Sequence, residues 1–283
     1  MKLSRSKPNI RRRLAGAIGA ALCLVAAAAA AQDEVPFVTT PDQVTLAMLE
    51  LAAVGVADHV IDLGSGDGRI VITAAKRFGA RGLGVEIVPE LVAKSRAFAR
   101  AAGVHDRVEF REQDLFRTDL AGATVVTMYV LPAVNLQLRP RLLTLAPGTR
   151  VVSHDWDMGD WAPDRTVTID VPDKAVGREK LSRVHLWVVP APVHGAWCAA
   201  GARLEVTQRF QTFSATLTLP DSAAPLLVFD GRVEGSVLRA SGAQPIELEA
   251  EGEVLRMRRA VAATMPAWPA QTVFQRTTLG RCT

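Results

Sequence analysis

The 283-residue sequence predicts an α/β protein whose doubly wound, mostly parallel sheet is followed by a small antiparallel β domain. Between residues 41 and 190, short apolar runs alternate with segments of helical spacing, which is typical of a parallel sheet covered by helices. Beyond residue 195, apolar and polar residues alternate between turn residues, which indicates antiparallel strands. We therefore assign residues 36–190 to a main domain and residues 195–283 to a β domain.

The elements of the main domain follow from their apolar patterns and their glycine and proline stop signals. Helices are predicted at 41–54, 69–78, 89–102 and 133–145. The fourth segment is one helix or two short ones, because Pro140 interrupts it. Strands are predicted at 60–63, 80–87, 107–114, 123–131, 149–156, 166–171 and 182–189. The last two have no helix between them, so we expect them to pair antiparallel at one edge of the sheet.

The N-terminal segment has the pattern of an export leader. Six basic residues precede an uncharged, Ala-rich run at 14–31, and Ala29 and Ala31 form a small-residue cleavage pattern. Two alternatives stay open, a signal peptide at 1–31 that is cleaved and a membrane anchor retained through 14–31. Both predict an exported, periplasmic main domain, and the anchor would also attach it to the membrane.

The leader carries most of the positive charge of the chain. The formal net charge is +4, from 33 Lys and Arg against 29 Asp and Glu. Without the six basic residues of the leader, 27 cations face 29 acids and the net charge is −2. This balance gives no support to nucleic-acid binding, so we expect no nucleic-acid partner.

Two cysteines, Cys198 and Cys282, remain outside the leader, which contains Cys23. An even number of cysteines in an oxidising compartment favours a disulfide. The two residues bracket the predicted β domain almost end to end, so a bridge between them would close it. Two free thiols are the alternative.

The stretch VIDLGSGDGRI at 60–70 joins the first predicted strand to the second helix, with three glycines at alternate positions. Glycines in this context let the backbone turn sharply and let a ligand approach. A phosphate-binding P-loop needs Lys and then Ser or Thr after the last glycine, but Arg69 and Ile70 follow Gly68. A dinucleotide loop needs glycine three positions after Gly66, where Arg69 stands, so a nicotinamide cofactor is disfavoured.

Acidic residues stand at the ends of the first three predicted strands. Asp62 precedes Gly64, Glu86 ends the second strand, and Asp114 ends the third. S-adenosylmethionine carries an ammonium, a sulfonium and a ribose diol but no phosphate, so acids beside bare glycine backbone suit it. We expect Asp62 to fix the ammonium side, Glu86 to accept two hydrogen bonds from the ribose, and Asp114 to read the adenine amino group.

These stretches resemble the class I, seven-strand S-adenosylmethionine-dependent methyltransferases, whose fold is Rossmann-like. The loop DLGSGDGR and the stretch GVE are general to that class, and QDLF also resembles it. TVVTMYVLPAVNLQLRPRL and GTRVVSHDWDMGDW are similar to a narrower group, the lysine methyltransferases of the adenine nucleotide translocase and the ATP synthase c-subunit with their bacterial relatives. The resemblance covers residues 36–190, leaves out the β domain, and implies methyl transfer to a protein lysine.

The same resemblance implies roles for residues around the cofactor. Asp62, Gly64 and Gly66 would hold its methionine and ribose parts. Thr40, in the stretch FVTTP, would belong to an N-terminal segment that closes over the cofactor.

The methyl acceptor is expected beyond the carboxyl ends of the fourth and fifth strands. The fourth predicted strand ends at 129–132, beginning with Tyr129, and the fifth ends at His154 and Asp155 within SHDWDMGDW at 153–161. Carboxylates and indole rings suit a lysine ammonium, which must lose a proton before its nitrogen can attack. We therefore name Asp155, His154 and Tyr129 as candidate catalytic residues, with a loop hydrogen bond or a core position as the structural alternative for each.

The sequence favours an S-adenosylmethionine-dependent N-methyltransferase that acts on a protein lysine. No metal is expected, because the five histidines are scattered without ligand spacing. The alternative is an exported module that binds S-adenosylmethionine or S-adenosylhomocysteine without turnover. The leader motivates this alternative, since the methyl donor is made in the cytoplasm.

Overall fold

The computed structural model describes residues 38–175, 179–199, 201–219, 224–241, 246–259 and 272–278, together with Cys282. The predicted leader or anchor at 1–31 lies outside the described residues. Within the described ranges, no helix combines the length and the apolar composition that crossing a membrane requires. The predicted domain boundaries stay a prediction, because the chain from Val38 onward forms one compact unit.

The helices of the main domain lie close to the predicted positions. They are α1 at Asp42–Leu51, α2 at Arg69–Phe78, α3 at Pro89–Ala101 and α4 at Pro132–Leu142, with a short 3₁₀ helix at Leu115–Arg117. Both α3 and α4 begin with a proline, whose missing N–H has no partner to lose at that position. Pro140 does not divide α4, because it lies in the last turn and removes one hydrogen bond near the helix end.

The main sheet has seven strands within the described residues, in the order β3-β2-β1-β4-β5-β7-β6. Their bounds are β1 His59–Leu63, β2 Arg81–Glu86, β3 Val108–Glu112, β4 Val125–Met128, β5 Arg150–His154, β6 Arg165–Asp170 and β7 Leu181–Val188. Strands β1 to β5 are parallel, and β7 pairs antiparallel with both β5 and β6. The predicted Rossmann-like fold with an antiparallel last strand is confirmed.

Helices cover both faces of this sheet. Val44 and Met48 of α1 share a buried cluster with Ile70 of α2 and Val60 of β1. On the opposite face, side chains of α4 pack with alternate residues of the same central strands; they include Ile61, Leu63, Val126, Met128, Leu138 and Leu142. Because β1 and β4 are buried on both faces, a ligand is expected to bind beyond their carboxyl ends and not on the faces of the sheet.

The predicted antiparallel β domain is also confirmed, and its strands form a closed barrel in the order β10-β11-β12-β13-β14-β15-β8-β9. Their bounds are β8 Gly195–Ala199, β9 Ala202–Arg209, β10 Thr212–Thr218, β11 Leu227–Glu234, β12 Val237–Ala240, β13 Glu247–Glu251, β14 Val254–Arg259 and β15 Val273–Thr277. Trp197, Leu204 and Phe274 are among the side chains that fill its interior. The predicted disulfide between Cys198 and Cys282 is present, with Cα atoms 5.4 Å apart.

Candidate active site

The cofactor loop, which we define as residues 62–68, turns sharply between β1 and α2. Gly64, Gly66 and Gly68 have φ values of 76°, 53° and 81°, a region that disfavours side chains. A Cβ at Gly68 would lie 2.6 Å from the ring of Phe110, so glycine is required there for space as well. The loop therefore presents bare backbone at the carboxyl end of β1.

Arg69 fixes the N-terminal segment to this loop. Its Nε and Nη2 donate to the Asp67 carboxylate at 3.0 and 2.8 Å, and its Nη1 donates to the carbonyl of Thr40 at 2.8 Å. Burial opposes ionisation of Asp67, but the hydrogen bonds and the charge of Arg69 outweigh it and lower the pKa of Asp67. This role of Arg69 was not predicted from the sequence, although the acid two residues before it, Asp67, could have indicated the pairing.

Asp62 is a buried carboxyl at the end of β1, with 1% of its surface exposed. Thr127 Oγ1 donates to its Oδ1 at 2.7 Å. Burial raises the pKa of Asp62 to about 7, against the hydrogen bond from Thr127, and the neighbouring acids Glu86 and Asp67 raise it further. A ligand cation beside Asp62 would relieve this unfavourable burial of charge.

Glu86 is the last residue of β2 and holds the backbone around it. Its Oε2 accepts from Gly66 N at 3.0 Å, and its Oε1 accepts from the N–H groups of Ile87 and Val88 at 2.8 and 3.0 Å. A carboxylate offers about four acceptor positions, so one is left for a ribose hydroxyl. Two ribose bonds, as predicted, would require one backbone contact to be given up.

Asp114 was predicted to end the third strand. In the structure it lies two residues beyond the end of β3. Its Oδ1 accepts from Phe116 N at 2.8 Å and caps the short helix Leu115–Arg117. It therefore stands on the same sheet edge as Asp62 and Glu86, and its contact with adenine stays a prediction.

The candidate catalytic residues Tyr129 and His154 are brought together beyond β4 and β5. Their ring centroids are 3.9 Å apart. His154 is buried, with Nδ1 3.5 Å from Thr40 Oγ1 and Nε2 2.9 Å from Ser182 Oγ. Burial lowers the pKa of His154 to about 4, in spite of the opposing charge of Asp155, and Lys174 adds to this lowering. The imidazole is therefore neutral at neutral pH.

Asp155 has a backbone conformation that is uncommon for residues other than glycine, with φ of 63°. Its N–H donates to Arg183 O at 2.6 Å, and its Oδ1 accepts from Arg183 N at 3.0 Å. Its Oδ2 lies 2.7 Å from Lys174 Nζ and 3.5 Å from His154 Nε2. Burial, followed by the charge and hydrogen bonding of Asp155, raises the pKa of Tyr129 to about 12, so the phenol stays protonated.

Asp157 and Trp161 have structural roles in the acceptor loop, which we define as residues 155–161. Asp157 Oδ1 accepts from Gly159 N at 3.0 Å and caps the turn. Trp161 is fully buried in the core, so its indole cannot flank an acceptor, whereas Trp156 is 43% exposed. Of the two indole rings in this loop, only that of Trp156 is accessible to a lysine ammonium.

The barrel contacts the end of the acceptor loop through the turn between β9 and β10. We call residues 209–211 the brace. Phe210 stacks on Trp161 with ring centroids 6.2 Å apart, and Gln211 Nε2 donates to Ala162 O at 2.6 Å. This contact was missed from the sequence, because no local pattern connects residues so distant in the chain.

Ion pairs reinforce the brace. Asp160 pairs with Arg139 of α4 and, at 3.1 Å, with Arg209. Asp164 pairs with Arg232 of β11 at 2.6 Å. Asp160 is thus engaged in fixing the loop to the barrel and to α4.

Comparison with known proteins identifies the family. A family model described as the ANTKMT methyltransferase domain matches residues 62–165. A protein-lysine N-methyltransferase from Saccharolobus islandicus is 44% identical over 138 residues, which are 48% of this chain and 86% of the relative. The chain belongs to this family of S-adenosylmethionine-dependent protein-lysine methyltransferases.

Other members match over a smaller part of their length. The Mus musculus lysine N-methyltransferase of the ATP synthase c-subunit is 41% identical over 108 residues, 38% of this chain and 43% of the relative. The adenine nucleotide translocase lysine N-methyltransferase of Mus musculus is 38% identical over 106 residues, 37% of this chain and 46% of the relative. The chain therefore spans less than half the length of these two mouse relatives.

A solved structure of a similar protein indicates the cofactor. The crystal structure of an RNA methyltransferase from Salinibacter ruber in complex with S-adenosyl-L-homocysteine matches with 54% sequence identity and a TM-score of 0.51. The match covers 55% of this chain and 96% of that chain. The protein is a methyltransferase that uses S-adenosylmethionine, and these matches do not support the alternative of a binding module without turnover.

The residues of this methyltransferase fit its cofactor. The charged neighbours that act on the buried Asp62 are both acids, the cofactor loop is free of side chains at its turns, and Glu86 keeps an acceptor position. Among the residues that the structure describes, no group of three or more His, Cys, Asp and Glu side chains could hold a metal ion. Which cofactor atom each residue contacts stays a prediction.

Proposed function

We propose that this methyltransferase methylates the Nζ atom of a protein lysine, bound at Asp155 beside Tyr129 and His154. One observation carries the proposal. The Asp155 carboxylate, with 13% of its side chain exposed, holds a lysine amine, that of Lys174, at 2.7 Å. A site whose carboxylate and backbone carbonyl accommodate one lysine amine has the chemistry to accommodate another.

The site residues bind and orient the amine. S-adenosylmethionine, when bound, supplies an activated methyl group, so the contribution of the protein is mostly positioning. A free lysine has a pKa of about 10.4 and arrives protonated. Asp155 attracts the ammonium, and neutral His154 adds no competing positive charge. The pKa of Tyr129 is raised to about 12 by burial and by Asp155, so its phenol is protonated at neutral pH and adds no negative charge to the site.

Two kinds of acceptor occur in the names of the relatives. The archaeal and mouse relatives are lysine methyltransferases, and the Salinibacter ruber protein is an RNA methyltransferase. The amine already held at Asp155 favours a lysine over a nucleic-acid acceptor, as does the net charge without the leader.

Methyl transfer from a labelled donor tests the proposal. The purified protein is incubated with labelled S-adenosylmethionine and either a cell-envelope protein fraction or total RNA. We expect label in protein lysines, and about a 100-fold lower turnover for Asp155→Asn, with unchanged cofactor affinity. Asp157→Asn, which alters a turn cap in the same loop, is the matched control. Label in RNA alone would contradict the proposal.

We also propose that the enzyme works outside the cytoplasm, in the periplasm or attached to the membrane by residues 14–31. The leader pattern supports export, and the disulfide between Cys198 and Cys282 suits an oxidising compartment. Cell fractionation with N-terminal sequencing of the mature protein tests this. Recovery of the protein in the cytoplasm with both thiols free would exclude it.

A further inference from the structure

The side-chain amine of Lys174 is bound at Asp155, in the candidate acceptor site. Its Nζ donates to Asp155 Oδ2 at 2.7 Å and to Leu181 O at 2.5 Å. Its side chain is 11% exposed, although it lies in the connection between β6 and β7. Burial of a lysine in a loop is costly unless the amine is paired, and here its partner is a candidate catalytic carboxylate.

The topology brings Lys174 to this edge of the sheet. Strand β5 ends at the site, and β7 runs antiparallel to it, with His154 opposite Val184. Strand β6 is antiparallel to β7, so Asp170 at its end pairs with Leu181 at the start of β7. The connection between β6 and β7 therefore lies at the carboxyl end of β5, beside the acceptor loop.

The cation that pairs with Asp155 is a lysine and not an arginine, which indicates a chemical role. The sequence contains 33 Lys and Arg, of which only six are lysines. Asp160 and Asp164 are paired with arginines, yet the cation at Asp155 is a lysine. Lysine differs from arginine in that its amine can lose a proton and act as a nucleophile.

We propose that Lys174 is a methylation site of this enzyme, modified in cis with the S-adenosylmethionine bound to the same chain. The proposal rests on the proposed function, because Lys174 occupies the acceptor position at Asp155. In the step, the Lys174 ammonium releases a proton to solvent by way of Asp155. A C–N bond then forms from the nitrogen lone pair as the methyl–sulfur bond breaks, and S-adenosylhomocysteine leaves with the electron pair of that bond.

Methylation would change the contacts of Lys174. The ammonium has three N–H groups, and each added methyl group removes one of them. A trimethylated Lys174 could donate neither to Leu181 O nor to Asp155 Oδ2. The modified side chain would therefore lose the two hydrogen bonds that hold it in the site.

The test is incubation of the full-length protein with a deuterated-methyl donor, followed by peptide mass spectrometry. We expect label at Lys174 in about tenfold excess over Lys180 and Lys76, because Asp155 positions that amine. The labelled fraction per unit time should not depend on enzyme concentration. A rate that rises with concentration would contradict modification in cis.

Variants sharpen the test. Lys174→Arg should lose the label, and Lys180→Arg, six positions away, should keep it. Wild-type enzyme mixed with a Glu86→Ala chain should leave Lys174 of the variant chain unlabelled, and label there would also overturn the proposal.

The outcome can be separated from that of the proposed function. If an external protein lysine is labelled and Lys174 is not, the inference fails while the proposed function stands. If the protein binds S-adenosylmethionine and labels neither Lys174 nor an external lysine, both fail.

Discussion

The candidate site beyond the carboxyl ends of the main sheet has a cofactor side, at β1 to β3, and an acceptor side, at β4 and β5. These two sides are built from different parts of the chain. On the cofactor side, the three acids Asp62, Glu86 and Asp114 lie within 62–114, and the last two mainly hold backbone groups close to them. On the acceptor side, His154 and Asp155 contact residues from the antiparallel edge, such as Ser182 and Lys174. The acceptor side is thus assembled from segments that are distant in the chain.

The largest effect is expected on the cofactor side. Replacement of Glu86 by Ala removes the acceptor of three backbone N–H bonds and the expected ribose contact. We predict about a 100-fold loss of S-adenosylmethionine affinity by calorimetry. Glu90→Ala, in the exposed first turn of α3, is the control and should bind normally. Normal binding by Glu86→Ala would place the ribose elsewhere.

Asp62 gives the cofactor side a pH dependence. Its pKa of about 7 lies above its usual 3.8, so the folded protein binds the proton more tightly than the unfolded chain does. Its contribution to stability is therefore present at low pH and is lost as the pH rises through about 7. A ligand ammonium favours the carboxylate, so cofactor affinity should rise about tenfold between about pH 5.5 and pH 7.

Asp62→Asn separates the two effects of this carboxyl. The variant should bind the cofactor weakly with no such rise, while its unfolding free energy at neutral pH should exceed that of the wild type by roughly 2–4 kcal/mol. Calorimetry and denaturant titration measure the two quantities. An unchanged pH dependence of affinity in Asp62→Asn would refute this role.

His154 gives the acceptor side the opposite pH dependence of stability. Its pKa is lowered from 6.5 to about 4 in the folded protein. The unfolded chain therefore gains a proton first, and stability falls as the pH drops from about 6.5 to about 4. Denaturant titrations should show that His154→Gln loses roughly 1–3 kcal/mol less than the wild type over this interval. Parallel curves for the two proteins would rule the effect out.

The smallest effect is expected from the brace. Phe210→Ala removes the ring that packs on Trp161, which should cost about 1–3 kcal/mol and lower kcat/KM for a lysine acceptor several-fold. Cofactor affinity should be unchanged. Phe229→Ala, which alters a partly buried ring of the barrel packed on Phe213, is the control. An equal loss of activity in both variants would show that the brace has no special role.

The comparison also explains what could be predicted from the sequence. Asp62 and Glu86 could be found because strand ends and glycine turns are local signals, and parallel strands bring their ends to one edge. The role of Lys174 could not be predicted, because its position depends on the antiparallel pairing of β6 and β7. It also lies in a loop whose sequence shows no periodicity. The buried position of Trp161 depends on packing against Phe210 of the barrel, which no spacing rule reports.

The closure of the barrel has a consequence for synthesis. Strand β8 pairs with its neighbour β9 and also with β15, the last strand of the described chain. A nascent chain can complete the main sheet early, but the edge of β8 stays open until β15 has been made. The closed barrel that supports the acceptor loop therefore forms only after β15 has been made. A chain that stops before β15 would contain every strand of the main sheet, but the barrel that contacts the acceptor loop would remain open at β8.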